Sequence, residues 1–272
     1  MKRIGFITGS FDPVTSAEIK QIRGLLKTEH LDVIYLQAEG DGVLSYQVRM
    51  KLLRQAVRPF RRLKAAYPHT VCDYETQMYD PEGEERVRHG YFTEAAVGIR
   101  RTLIEKGYYL SEIVNYHCKP KRAAHSVSVA DVCRKLAEAH GMDSEQAWRA
   151  GMLHDITKKW NDEESERIVR IYYPEMLSYS PKVWHSYTAP VFLYREMGLR
   201  DQKILHAIEC HTIGNGTGKL DHILYIADKC EPLRGYDCSY QLALSRQDLA
   251  AGAAYVLEES RRYILEKEGV HV

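Results

Sequence analysis

At 272 residues the chain exceeds the roughly 100–200 residues of one ordinary domain, so two compact domains are expected. Its 38 Lys and Arg nearly balance 37 Asp and Glu, which argues against nucleic acid or an acidic membrane as partner and favours a small-molecule substrate. The apolar run from Ile4 to Thr8 is too short for a signal-peptide core and no later run approaches a membrane span. A soluble, cytoplasmic protein is therefore expected, and its six cysteines, none in a CxxC pair, are expected to be reduced.

The chain opens with a β-rich run at Arg3–Ile7, turn chemistry at Gly9-Ser10-Phe11-Asp12-Pro13, and a helical pattern from Ser16. The apolar run Leu31–Leu36 follows about one helix later, which makes a βαβ unit. A helix is expected over Tyr46–Val57, a third strand over Thr70–Tyr74, a charged loop over Asp80–Arg88 and a closing helix over Phe92–Lys106. Residues 1–116 thus read as an α/β, Rossmann-like domain with a small parallel sheet. After Lys119-Pro120-Lys121 only helical patterns remain, so residues 117–272 read as a second, all-α domain.

Eight of the twelve histidines lie between His117 and His222, which points to chemistry in the second half. His125 shares a helical face with Val129, Val132 and Leu136; His154 with Ala147 and Ala150; His211 with Ile204, Ala207 and Ile208. Singly, each is more often a hydrogen-bonded core histidine than a ligand. Asp228 changes the balance, because it ends the apolar stripe Leu220, Ile223, Leu224, Ala227, where an unpartnered carboxylate would cost several kcal/mol. A bound cation removes that penalty. Imidazoles and carboxylates from separate helices suit a divalent transition metal, and the adjacent His154-Asp155 pair offers both ligand types if the helix ends there.

The segments around His125 (KRAAHSV), His154-Asp155 (AGMLHDITK), His185 (VWHS), His211 (AIECHTIG) and Asp228 (YIADKCEP) resemble, in order, those of the HD superfamily of metal phosphohydrolases. The closest resemblance is to the YqeK-type enzymes, which split diadenosine tetraphosphate symmetrically into two ADP. It implies that His125, His154, Asp155 and Asp228 hold one metal, with Asp155 bridging to a second held by His185 and His211. A mononuclear site using four of these ligands is the alternative. Iron is the implied metal, with manganese or cobalt as substitutes. Asp155 and Lys158 are the candidate catalytic residues, and Arg122, Lys158 and Arg234 are candidates to bind the polyphosphate, Lys158 being equally readable as a solvated lysine. Tyr172, Tyr173 or Tyr187 could stack on adenine, though packing is the commoner role. Gly214–Lys219 lacks the Gly and Ser or Thr that a Walker loop needs, and reads as a turn.

Ile4–Val14 resembles the start of the nicotinate-nucleotide adenylyltransferases, whose next residues form an HxGH signature. Here those positions are Thr15-Ser16-Ala17-Glu18, so both histidines are absent and a carboxylate would face the triphosphate. A catalytically inactive nucleotidyltransferase-type domain is the expectation. Rival readings keep the HD site with another nucleotide substrate (a nucleoside triphosphate, an alarmone or a cyclic nucleotide), or make the protein a non-catalytic nucleotide-binding regulator. Oligomeric state is not fixed by the sequence; a homodimer is compatible with it.

Overall fold

The structure is a computed structural model that describes residues 2–268. Contacts divide the chain into two compact units, Met1–Ile113 with Glu196–Gly198, and Val114–Arg195 with Leu199–Val272.

In the first unit, β1 (Ile4–Gly9), α1 (Ser16–Thr28), β2 (Val33–Ala38), α2 (Tyr46–Val57), β3 (Leu63–Lys64) and β4 (Tyr74–Gln77) build a four-stranded sheet in the order β3-β2-β1-β4. All pairings are parallel, and β1 runs beside β2 from Ile4 opposite Val33 to Gly9 opposite Ala38. Ile7, Ile34 and Leu36 are fully buried.

Three local expectations fail. The strand expected at Thr70–Tyr74 lies further along, because Asp73 accepts the Ile4 amide and so sets where pairing with β1 begins. The charged stretch expected as a loop contains a helix, α3 (Pro81–Arg88): Asp80 caps it by accepting the Gly83 amide, Pro81 suits its first position, and acids at its start and arginines at its end complement the helix dipole. The helix expected from Phe92 to Lys106 is mostly replaced. Residues 94–96 exchange hydrogen bonds with Val14 and Ser16, and only a 3₁₀ turn (Val97–Ile99) and a short α4 (Arg100–Glu105) follow. Long-range backbone pairing overrides local propensity there. Helix α5 (Leu110–His117) comes next.

The second unit is helical: α6 (Pro120–Ala139), α7 (Ser144–Leu153), α8 (Asp162–Tyr172), α9 (His185–Phe192), α10 (Gln202–Cys210), α11 (Lys219–Cys230), α12 (Ser239–Gln247) and α13 (Leu249–Glu268). Its core joins Val129, Cys133 and Leu136 of α6, Ala147 and Ala150 of α7, Ile204 and Ile208 of α10, and Ile223, Leu224 and Ala227 of α11. Gly151 lets α6 and α7 touch backbone to backbone, since a Cβ there would stand 2.5 Å from Ala130 Cα. All six cysteines are free, and no described helix is long and apolar enough to cross a membrane.

Candidate metal centre

The helices of the second unit bring six ligand-type side chains to one buried place. His125 lies on the inward face of α6, and Asp228 ends the apolar stripe of α11. Helix α7 stops at Leu153 and turns follow, so the neighbours His154 and Asp155 reach the same cluster instead of diverging around a helix. His185 opens α9, and His211 is the residue after α10. All six are buried.

Asp155 sits in the middle. Its Oδ1 is 3.0 Å from His185 Nε2 and 3.8 Å from His211 Nε2. Its Oδ2 faces the other way, 3.5 Å from His154 Nε2 and 3.9 Å from His125 Nε2. Asp228 Oδ1 completes that second group, 3.1 Å from His125 Nε2 and 3.8 Å from His154 Nε2.

The other ring nitrogens are already engaged. His154 Nδ1 donates to the Gly151 carbonyl at 2.7 Å, His211 Nδ1 to Ile208 at 2.6 Å and His185 Nδ1 to Lys182 at 3.0 Å, while His125 Nδ1 pairs with Glu231 Oε1 at 3.0 Å. Fixing the proton on Nδ1 leaves each Nε2 as a lone-pair donor aimed at the cluster. His154 Nε2 is buried with no hydrogen-bond partner, and the Nε2 atoms of His185 and His211 stand 3.2 Å apart. Orphaned, converging lone pairs of this kind are what a cation satisfies.

The electrostatics agree. Burial holds His185 down to about 4 and lowers His211, so both are neutral, ligating bases at pH 7. Burial opposes the charge on Asp155 and Asp228, but His154 beside the first and Lys229 beside the second hold both well below the usual carboxylate range. His154 is raised despite its burial, chiefly by the neighbouring Asp155 carboxylate. The donor set fits a divalent metal ion.

Cations ring the cluster. Arg122 Nη1 meets Asp155 Oδ2 at 2.8 Å, and Arg234 meets Asp228 Oδ1 at 2.7 Å. Lys158, an exposed residue, turns its ammonium to the Lys182 carbonyl at 3.0 Å, beside the His185 ring. Sequence reasoning assigned no role to Lys229, which meets Asp228 Oδ2 at 2.8 Å, or to Glu231 behind His125. Both lie in the motif around Asp228, where an acid one helical turn beyond a ligand was the available signal.

Two other expectations take definite form. Tyr173 and Tyr187 pack edge to face, 5.1 Å between centroids, within a cluster of Val169, Met176 and Trp184, while Tyr172 is exposed. Gly214–Lys219 turns from α10 into α11, with Gly214 at φ 75° where a Cβ would meet the Tyr225 ring at 2.7 Å.

A helical bundle carrying this His and Asp set is an HD domain, and the HD-domain family model matches residues 122–233. The Staphylococcus aureus symmetrical bis(5'-nucleosyl)-tetraphosphatase is 30% identical over 154 residues, covering 54% of this chain and 79% of that protein. The chain belongs to the HD hydrolase family that contains the symmetrical bis(5'-nucleosyl)-tetraphosphatases. The Bacillus subtilis protein of the same name is 36% identical over 118 residues, 42% of this chain and 63% of that one. A Mycoplasma pneumoniae protein named as a probable nicotinate-nucleotide adenylyltransferase/Ap4A hydrolase is 28% identical over 170 residues, 58% of this chain and 48% of that one. The chain thus spans less than two thirds of these last two relatives. Among solved structures, a Clostridium acetobutylicum protein described as a predicted HD superfamily hydrolase involved in NAD metabolism superposes with a TM-score of 0.54 at 25% identity, over 60% of this chain and 89% of that one.

Proposed function

We propose that the HD unit hydrolyses diadenosine tetraphosphate symmetrically, water adding to one of the two inner phosphorus atoms as the central bridge breaks to give two ADP. The observation that carries the reading is Asp155, whose two oxygens face separate ligand groups: His125, His154 and Asp228 on one side, His185 and His211 on the other. These six residues would hold two divalent ions sharing Asp155. Such ions, when bound, lower the pKa of water toward about 7 and neutralise phosphate charge. Iron, with manganese or cobalt as substitutes, is the proposed metal, and six free thiols fit the reducing cytoplasm.

The chain's own residues would do the rest. Arg122, Arg234 and Lys158, joined by Lys229, would bind polyphosphate oxygens and offset charge gathering on the departing ADP; their closeness to the metal-ligand cluster supports this. The likeness to relatives named as symmetrical tetraphosphatases supports this substrate over other nucleotides.

The first unit is proposed to be catalytically inactive, for a reason that differs from simple charge repulsion. Thr15 and Glu18 form a capping box at the start of α1: Glu18 accepts the Thr15 amide at 2.8 Å and Thr15 Oγ1 accepts the Glu18 amide at 3.1 Å. Burial, with Glu84 and Asp80 close by, pushes the Glu18 carboxyl up to about 8, so it is largely neutral at pH 7. The site has lost its imidazoles and turned their positions to structural use.

The test is product analysis by ion-exchange chromatography after incubating iron- or manganese-loaded protein with diadenosine tetraphosphate, beside a His154→Ala, Asp155→Ala control. ADP as sole product, absent in the control, is expected. AMP with ATP would mean asymmetric cleavage, and no turnover of this substrate by metal-loaded protein would move the reading to another nucleotide or to a regulator.

A further inference from the structure

A second cluster of unlike metal ligands lies in the helical unit, with no residue in common with the set around Asp155. His206 and Cys210 are one turn apart on α10, and Asp221 stands in the first turn of α11. His206 Nδ1 is 3.0 Å from Asp221 Oδ2, and Cys210 Sγ is 3.8 and 3.7 Å from the two nitrogens of that ring. One donor atom from each of the three lies within 4.8 Å of the others. In a tetrahedral zinc site, bonds of about 2.0–2.3 Å set neighbouring ligand atoms roughly 3.3–3.6 Å apart, close to the His206–Asp221 and His206–Cys210 separations here.

We propose that His206, Cys210 and Asp221 form a separate binding site for a borderline-soft divalent cation, zinc being the ion this donor set suits. A thiol, an imidazole and a carboxylate together select zinc or cobalt over calcium and magnesium, which take oxygen ligands. Cys210 and Asp221 are buried, while the His206 side chain is 56% exposed, so an ion can enter from solvent without disturbing the core. The two buried ligands also line a cavity of about 230 Å³ with His222, Tyr225 and Gly216, which leaves space for water as a fourth ligand. Gly216 is fitted to that wall, since a Cβ there would stand 2.5 Å from Asp221 Cβ. The Gly218 amide donates to Asp221 Oδ2 at 2.8 Å, orienting the carboxylate as a hydrogen-bonded ligand is usually oriented. An ion here would tie α10, which leads into His211, to α11, which carries Asp228.

Cobalt(II) separates this site from the other, because only a thiolate ligand gives a sulfur-to-cobalt charge-transfer band in the near ultraviolet, and the set around Asp155 has none. The full chain, stripped with chelator, is titrated with cobalt under anaerobic conditions. The band is expected in the wild type and in Cys118→Ser, whose thiol lies 3.7 Å from the Asp155 carbonyl, and is expected to vanish in Cys210→Ser. His206→Ala, at an exposed position that tolerates truncation, should weaken the cobalt affinity read from this band at least about tenfold, and it decides the matter if Cys210→Ser does not fold. No band in the wild type, a band that survives in Cys210→Ser, or an unchanged affinity in His206→Ala would overturn the proposal.

Discussion

Glu231 grips His125 from behind: its Oε1 accepts a hydrogen bond from Nδ1 at 3.0 Å while Nε2 of the same ring lies 3.1 Å from Asp228 Oδ1. The carboxylate thereby chooses the tautomer and the ring angle that a metal ligand needs. Glu231→Ala is expected to weaken metal binding roughly 10–100-fold. Metal content after dialysis against graded chelator checks this; an unchanged affinity would show that Glu231 serves only its own loop, where it also accepts the Leu233 amide.

If Asp155 is shared between two ions, ligand loss has an uneven signature. In a His206→Ala background, which removes the separate site proposed above, the cluster should hold two metals per chain, one after His185→Ala and none after Asp155→Ala. Elemental analysis distinguishes this from a mononuclear centre, which would hold one metal before either ligand is removed.

Lys229 lies 2.8 Å from Asp228, and in the proposed reaction it would bind a substrate phosphate. Lys229→Ala should lower kcat/KM on the order of 10²-fold, as loss of one charge-stabilising donor typically does, with metal content intact. A variant that lost its metal and its activity together would assign Lys229 to the carboxylate alone.

At Gly151 the backbones of α6 and α7 come close enough that a Cβ would meet Ala130, and its carbonyl also accepts from His154 Nδ1. Gly151→Ala should cost about 1–3 kcal/mol of stability, the usual penalty of overpacking, and should shift His154 relative to His125. Urea unfolding of metal-stripped protein reads the first effect, and a fall in metal affinity reads the second.

Glu18 gives the first unit a pH-dependent stability. Its folded-state pKa of about 8 lies above the ordinary 4.5, so folding takes up a proton between those values. The contribution is complete below about pH 4.5 and is lost as pH rises through about 8, on the order of 5 kcal/mol in all. Glu18→Gln should flatten the fall in stability between pH 5 and 9; equal slopes in denaturant titrations of the two proteins would refute it.

The amphipathic stripes of α6, α10 and α11 made the helical unit legible, because an inward-facing His or Asp at the right helical spacing is visible in the chain. The parallel pairing of β1 and β2 was legible for the same reason, two apolar runs one helix apart. Helix α3 was hidden by its charge: only Glu84 and Val87 are buried, and the capping by Asp80 is a three-residue signal inside a polar run. The segment from Phe92 to Ile99 was misread because its conformation is fixed by partners some eighty residues earlier, at Val14 and Ser16. Lys229 and Glu231 escaped assignment because their roles depend on which way α11 ends, which no local pattern states.

If the first unit is inactive, as proposed, the capping box of Thr15 and Glu18 makes that change hard to undo. Returning imidazoles to those two positions would strip α1 of both halves of its cap, at about 1 kcal/mol or more for the Thr15 half alone, before any catalytic benefit could appear. A lineage that has begun to use a former active-site position as a fastener must first rebuild the helix start elsewhere. Each retraced step is thus a step downhill in stability, and the loss behaves as a ratchet.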